Sequence, residues 1–74
     1  MAQIKLTVLV HETWREHFPA IVENCRRAGL TVENELVSIG VIIGRIEEGR
    51  MAALAHIEGV SAVEPQRAQR GISR

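Results

Sequence analysis

The side chains that could carry chemistry stand singly along the 74 residues. His11, His17 and His56 fall on separate segments with no carboxylate recurring at ligand spacing; against the alternative of a metal site from His11 and His17, they read as surface residues and no metal is expected. Cys25 has no second cysteine for a disulfide, a metal or a redox pair; it reads as a small apolar residue on a helix, in a reducing compartment. Ser38 and Ser61 have no neighbouring base in a nucleophile motif. Schiff-base chemistry needs a desolvated amine beside a second acid or base. The single lysine, Lys5, sits on a strand and is directed away from the apolar face, and two thin layers leave little room for a sealed pocket. These residues give no catalytic group and call for no cofactor. What remains is a set of carboxylates. Thr31, Glu33 and Glu35 alternate with Val32, Asn34 and Leu36, which gives that segment one acidic, wet face.

The elements that must position these groups follow from periodicity. Ile4, Leu6, Val8 and Val10 alternate with Lys5, Thr7 and Leu9, the period of a strand packed on one side. Thr13 and Glu16 have capping-box spacing, and Trp14, Phe18, Ile21, Val22 and Cys25 then recur at helical intervals up to Gly29. Pro19 removes a helical hydrogen bond, so either the first turn is distorted or the regular helix begins near Pro19; we favour a helix with an irregular start. Leu30 to Val37 and Val41 to Ile46 read as two strands of a hairpin joined at Ser38-Ile39-Gly40. Gly44 inside the second strand implies a bulge or a close approach by another chain. Which side of Val41 to Ile46 points inward stays open. Glu47 to Ile57 returns to helical spacing, Gly59 ends it, Val60 to Glu64 forms the last strand, and Pro65 stops it.

The order β-α-β-β-α-β predicts an α+β chain of ferredoxin-like architecture, a four-stranded antiparallel sheet with two helices on one face. The other face has no helix of its own and is either solvated or used. Residues 1–66 form the expected domain, and 67–74 the expected flexible C-terminal tail. Apolar residues make up 46% of the chain but aromatics only 3%, so the core is built from Val, Ile, Leu and Ala. Nine basic residues balance nine acidic ones, which gives no long-range field for nucleic acid or an anionic membrane. The apolar run from Leu6 to Val10 is too short for a signal-peptide core, and no stretch is long enough to span a bilayer; the expected location is cytoplasmic.

The domain length, the strand order, the glycine in the middle hairpin and the ending L-x-x-I-x-G-V-x-x-V-E-P-x from Leu54 to Gln66 resemble the subtilisin propeptide family of inhibitors, including its small stand-alone members. The resemblance covers residues 4 to 66, with its specific part in that closing segment. It implies a chain that inhibits or chaperones a serine protease of the subtilisin-like or trypsin-like type. In the family the uncovered sheet face docks on two parallel protease helices, and acidic side chains cap their amino ends, where free N–H groups and the helix dipole attract a carboxylate. By matching position Glu64 would be such a cap; Glu33 and Glu35 are weaker candidates from the strand pattern. The family's C-terminal segment lies in the substrate cleft, so Ile72, Ser73 and Arg74 would follow the cleft, with Arg74 as the terminal contact for an acidic pocket. Gly71 departs from the family, which prefers an apolar residue there.

Short bacterial chains of this look are sometimes taken for ketohydroxyglutarate aldolase, which fits poorly with Lys5 as the only amine available for a Schiff base. The rival reading is a homo-oligomeric regulatory or ligand-sensing module, because Val41-Ile42-Ile43 would leave apolar side chains on the open face for a homodimer to cover.

Overall fold

The alternation of Ile4, Leu6, Val8 and Val10 becomes strand β1 (Gln3–Val10), in which Leu6 and Val8 are fully buried. A computed structural model describes residues 2–66. The expected tail, 67–74, with Ile72, Ser73 and Arg74, lies outside the described residues.

After β1 the chain makes a 3-10 segment over Glu12–His17 and passes into α1 (Phe18–Arg27). This is the irregular start that Pro19 implies: proline occupies the first turn of α1, where its missing N–H has no helical partner to lose. The capping box expected from Thr13 and Glu16 does not form. The 3-10 segment begins at Glu12, ahead of Thr13, and neither it nor α1 has a side-chain cap at its start. Phe18, Ile21, Val22 and Cys25 face the sheet, and Arg26 and Arg27 sit at the carbonyl end of the helix, where cations are favoured.

Strand β2 (Thr31–Leu36) leads through a short 3-10 turn, Val37–Ile39, into β3 (Val41–Glu47). A second 3-10 turn, Glu48–Arg50, precedes α2 (Met51–Ala55), which is shorter than the helix expected over Glu47 to Ile57. Hydrogen bonds from the His56 and Ile57 N–H groups reach back only to Ala53 and Leu54, so the last turn tightens and the helix stops before Gly59. Strand β4 (Val60–Pro65) closes the domain.

The four strands lie in the order β2-β3-β1-β4, and every neighbouring pair is antiparallel. With two helices in β-α-β-β-α-β order this is the α+β, ferredoxin-like arrangement. One side of the sheet meets the helices. Leu6, Val8, Val10, Ile42 and Ile46 pack there with Leu30, Leu54 and the buried face of α1 into one cluster without a buried polar or charged residue among the described residues. That settles the inward side of β3 as Ile42, Gly44 and Ile46.

Pro65 does not stop the last strand. It pairs with Leu6, and the Gln66 N–H continues the ladder to the Lys5 carbonyl at 2.9 Å. A proline is tolerated because β4 is an edge strand whose outer side needs no donor. On the opposite edge, β2 carries a register shift between Val32 and Asn34 opposite β3. Of the two alternatives read for Gly44, the bulge is present, on the neighbouring strand β2. The bulge lies across from it, and a Cβ at Gly44 would press into the Thr31 carbonyl and the Leu30 side chain.

Cys25 is the buried helix residue that its surroundings suggest. Burial pushes its thiol up to about 11 from the ordinary 9.0, because a thiolate there would lose its hydration. The folded chain should resist a disulfide reagent such as dithionitrobenzoate at neutral pH and react rapidly once unfolded in urea, a contrast read directly by absorbance. Because the folded-state value is the raised one, the thiol's contribution to stability is complete below pH 9 and is lost as pH rises towards 11. Prompt native labelling at pH 7 would contradict the packing.

Candidate open sheet face

Strand register assigns the residues opposite the helices. Lys5, Thr7 and Leu9 of β1 lie across from Arg45, Ile43 and Val41 of β3, while Thr7 and Leu9 also face Glu64 and Ala62 of β4. No segment among the described residues covers these positions. Leu9, Val41, Ile43 and Ala62 are half-buried, and strand register groups them into an apolar block towards one end of the face. Next to it, Val37 and Ile39 of the β2–β3 turn are the exposed large hydrophobics among the described residues, at 53% and 60%.

The other end of the face is ionic. Lys5 and Arg45 stand directly opposite each other, a like-charge pair that costs energy unless an anion intervenes. Glu33 intervenes: its Oε2 lies 2.7 Å from Arg45 Nε and its Oε1 3.6 Å from Lys5 Nζ. These groups are partly exposed, so each pair is worth about 0–1 kcal/mol. Their main effect is to commit the Glu33 carboxylate to cations of its own sheet.

The acidic face expected for β2 is divided. Strict alternation would put Glu33 and Glu35 together, but the extra residue at the bulge reverses the side of everything after it. Glu35 therefore lies opposite inward-facing Ile42, and its Oε2 meets Arg26 Nη2 of α1 at 3.5 Å, on the helix side. Glu33 stays on the open side. Glu64 also lies on the open side, exposed, on edge strand β4 opposite Thr7, and no ion pair holds it among the described residues. Beside it Gln66 donates from Nε2 to Thr7 Oγ1 at 3.1 Å, which ties the end of β4 to the same face.

Groups with catalytic potential are not brought together. Lys5 is half-exposed and salt-bridged, which is not the dry pocket that a Schiff-base amine requires. His17 lies beside Trp14, with ring centroids 5.4 Å apart, while His11 and His56 are exposed elsewhere. No group of three His, Cys, Asp or Glu residues among those described could hold a metal ion. A hollow of about 440 Å³ is lined by Ala2, Glu47, Glu48, Gly49 and Arg50, and contains no histidine, cysteine, serine or lysine. No helix among the described residues is long and apolar enough to cross a membrane.

The pattern of the sequence did not indicate Arg15. Its Nη1 donates to the Ser38 carbonyl at 3.1 Å, while its Nε is buried without an acceptor. Twenty-three positions separate these partners, so no local spacing could have revealed the contact.

Neither a family model, nor a curated protein, nor a solved structure matches this chain.

Proposed function

We propose that the chain acts by binding, without catalysis of its own, and that it inhibits or chaperones a serine protease of the subtilisin-like or trypsin-like type through its open sheet face. The observation that carries this reading is the face itself: an apolar block of Leu9, Val41, Ile43 and Ala62 beside the exposed carboxylate of Glu64, which no ion pair holds among the described residues. An apolar patch that the described residues leave uncovered suits a protein partner. A carboxylate at its margin suits a partner presenting free N–H groups at helix ends. Glu64 is the cap in this proposal. Glu33, already neutralised by Arg45, has a smaller part, and Glu35 has none because it lies on the helix side. The residues beyond Gln66, with Ile72, Ser73 and Arg74, are proposed to enter the substrate cleft.

The test is inhibition of subtilisin and trypsin by the full chain, by a chain ending at Gln66 and by Glu64→Gln. Loss of one charge-assisted cap of about 1–2 kcal/mol would raise the inhibition constant about 5- to 30-fold. Glu35→Gln should leave it unchanged, and the chain ending at Gln66 should inhibit less. Failure of the full chain to slow either enzyme would refute the proposal.

A second reading, a homodimer through the same face, is favoured by the exposed Val37 and Ile39 at its corner. Sedimentation decides between the two readings. A dimer persisting at the concentrations used for inhibition would have its open face occupied and unavailable to a protease.

A further inference from the structure

Arg15 and the β2–β3 turn form a separate feature at the apolar end of the molecule. The turn runs Val37–Ile39 and ends on Gly40, which is in the left-handed region with φ 69°. Arg15 reaches it from the 3-10 segment after β1. Its Nη1 donates to the Ser38 carbonyl, and its Nε lies 2.9 Å from the point where a Cβ on Gly40 would stand. A side chain at residue 40 would displace the guanidinium, so the glycine provides its seat. The guanidinium spends one donor on Ser38, has Nε enclosed without an acceptor, and lies within 4.0 Å of no carboxylate among the described residues. Its bond to Ser38 is at the surface, so the outer edge of the guanidinium faces solvent.

On either side of Ser38 stand Val37 and Ile39, both more than half exposed. A cation with unused donors, bonded to a turn that carries two bare aliphatic side chains, has the composition of an interface anchor: arginine is enriched at such points, and its fork matches a carboxylate. We propose that Arg15, Val37 and Ile39 form a docking point for an acidic-apolar segment of a partner protein. The partner's carboxylate meets the outer edge of the guanidinium, and its neighbouring aliphatic side chains rest on Val37 and Ile39. The unpaired positive charge selects this occupant, since a purely apolar segment would leave it desolvated and without a counter-ion. The docking point does not require the partner to be a protease, and none of its three residues belongs to the Glu64 site.

The probe is a capped tripeptide, acetyl-Leu-Glu-Leu-amide, with its Gln counterpart as control. Each is titrated into the ¹⁵N-labelled full chain while the Arg15 Nε–H signal and the Val37, Ser38, Ile39 and Gly40 amides are followed. The Glu peptide should shift these signals and bind about two- to fivefold more tightly than the Gln peptide, the size of a partly exposed ion pair, with the difference shrinking at high salt. Arg15→Gln should abolish that preference. Because Arg15→Gln also removes a tie to the turn, the doubly substituted Val37→Ser, Ile39→Ser chain is the second variant. Its changes are at exposed positions, and it should weaken both peptides equally while keeping the Glu preference. Equal binding of the two peptides by the parent chain, or shifts located away from residues 15 and 37–40, would overturn the proposal.

Discussion

Replacing Phe18 with alanine is expected to destabilise the chain by about 3–5 kcal/mol, the usual cost of emptying a buried aromatic site. Phe18 is the largest of the fully buried side chains, at 1% exposure, and the chain has only one phenylalanine and one tryptophan. It is the first residue of α1, at the point where the 3-10 segment becomes a regular helix. The void would therefore open where the helix is joined to its irregular lead, and Pro19 fixes the backbone next to it, which limits collapse around the gap. Small domains have a total stability of about 5–15 kcal/mol, so a loss of this size consumes much of it. Urea unfolding followed by circular dichroism should show the midpoint falling sharply, with a drop in Tm of more than about 10 °C. A change below about 1 kcal/mol would mean that Phe18 does not occupy the core position assigned to it.

The second large effect is expected at Gly44. An alanine there would set its methyl group against the Thr31 carbonyl and the Leu30 side chain. Leu30 is itself buried, and the obstructing oxygen is backbone, so neither can simply swing aside. Overpacking of this kind costs about 1–3 kcal/mol. The usual benefit of replacing glycine in a strand, about 0.5–1 kcal/mol, works in the opposite direction and is the smaller term. The damage should be local at first. Amides of β2 should lose hydrogen-exchange protection before those of β1 and β4, because the clash lies between β3 and β2. An unchanged urea midpoint with β2 protection intact would show that the two strands are farther apart than described.

Much of this fold was legible because its signals are short-range. The alternation from Ile4 to Val10 identified β1 and its buried side, and the nearly continuous apolar run from Val41 to Ile46 identified β3 as a strand. The proline in the first turn of α1 and the bulge beside Gly44 were likewise written in residues whose backbone limits are known. The errors share a cause: each depends on what lies across space. Alternation placed Glu33 and Glu35 on one face, but a bulge opposite Gly44 sends Glu35 to Arg26 and leaves Glu33 with Arg45. Pro65 reads as a strand stop until the strand is known to be an edge. The Thr13-Glu16 spacing fits a cap, yet the 3-10 segment starts one residue earlier and bypasses it. As for the open face, strand pattern indicated in outline that the sheet has a side without helices, whereas the Arg15–Ser38 contact could not be inferred, since it joins two segments distant in the chain.

The two outer strands have a consequence for crowded solution. One rim of the sheet is interrupted by an inserted residue among Glu33, Asn34 and Glu35, and the other carries an imino acid, Pro65, that has no hydrogen to donate. Neither rim offers a clean template on which another molecule could add strand after strand, so edge-on growth towards fibrils is obstructed at both margins. Copies that meet at high concentration would have to come together broadside.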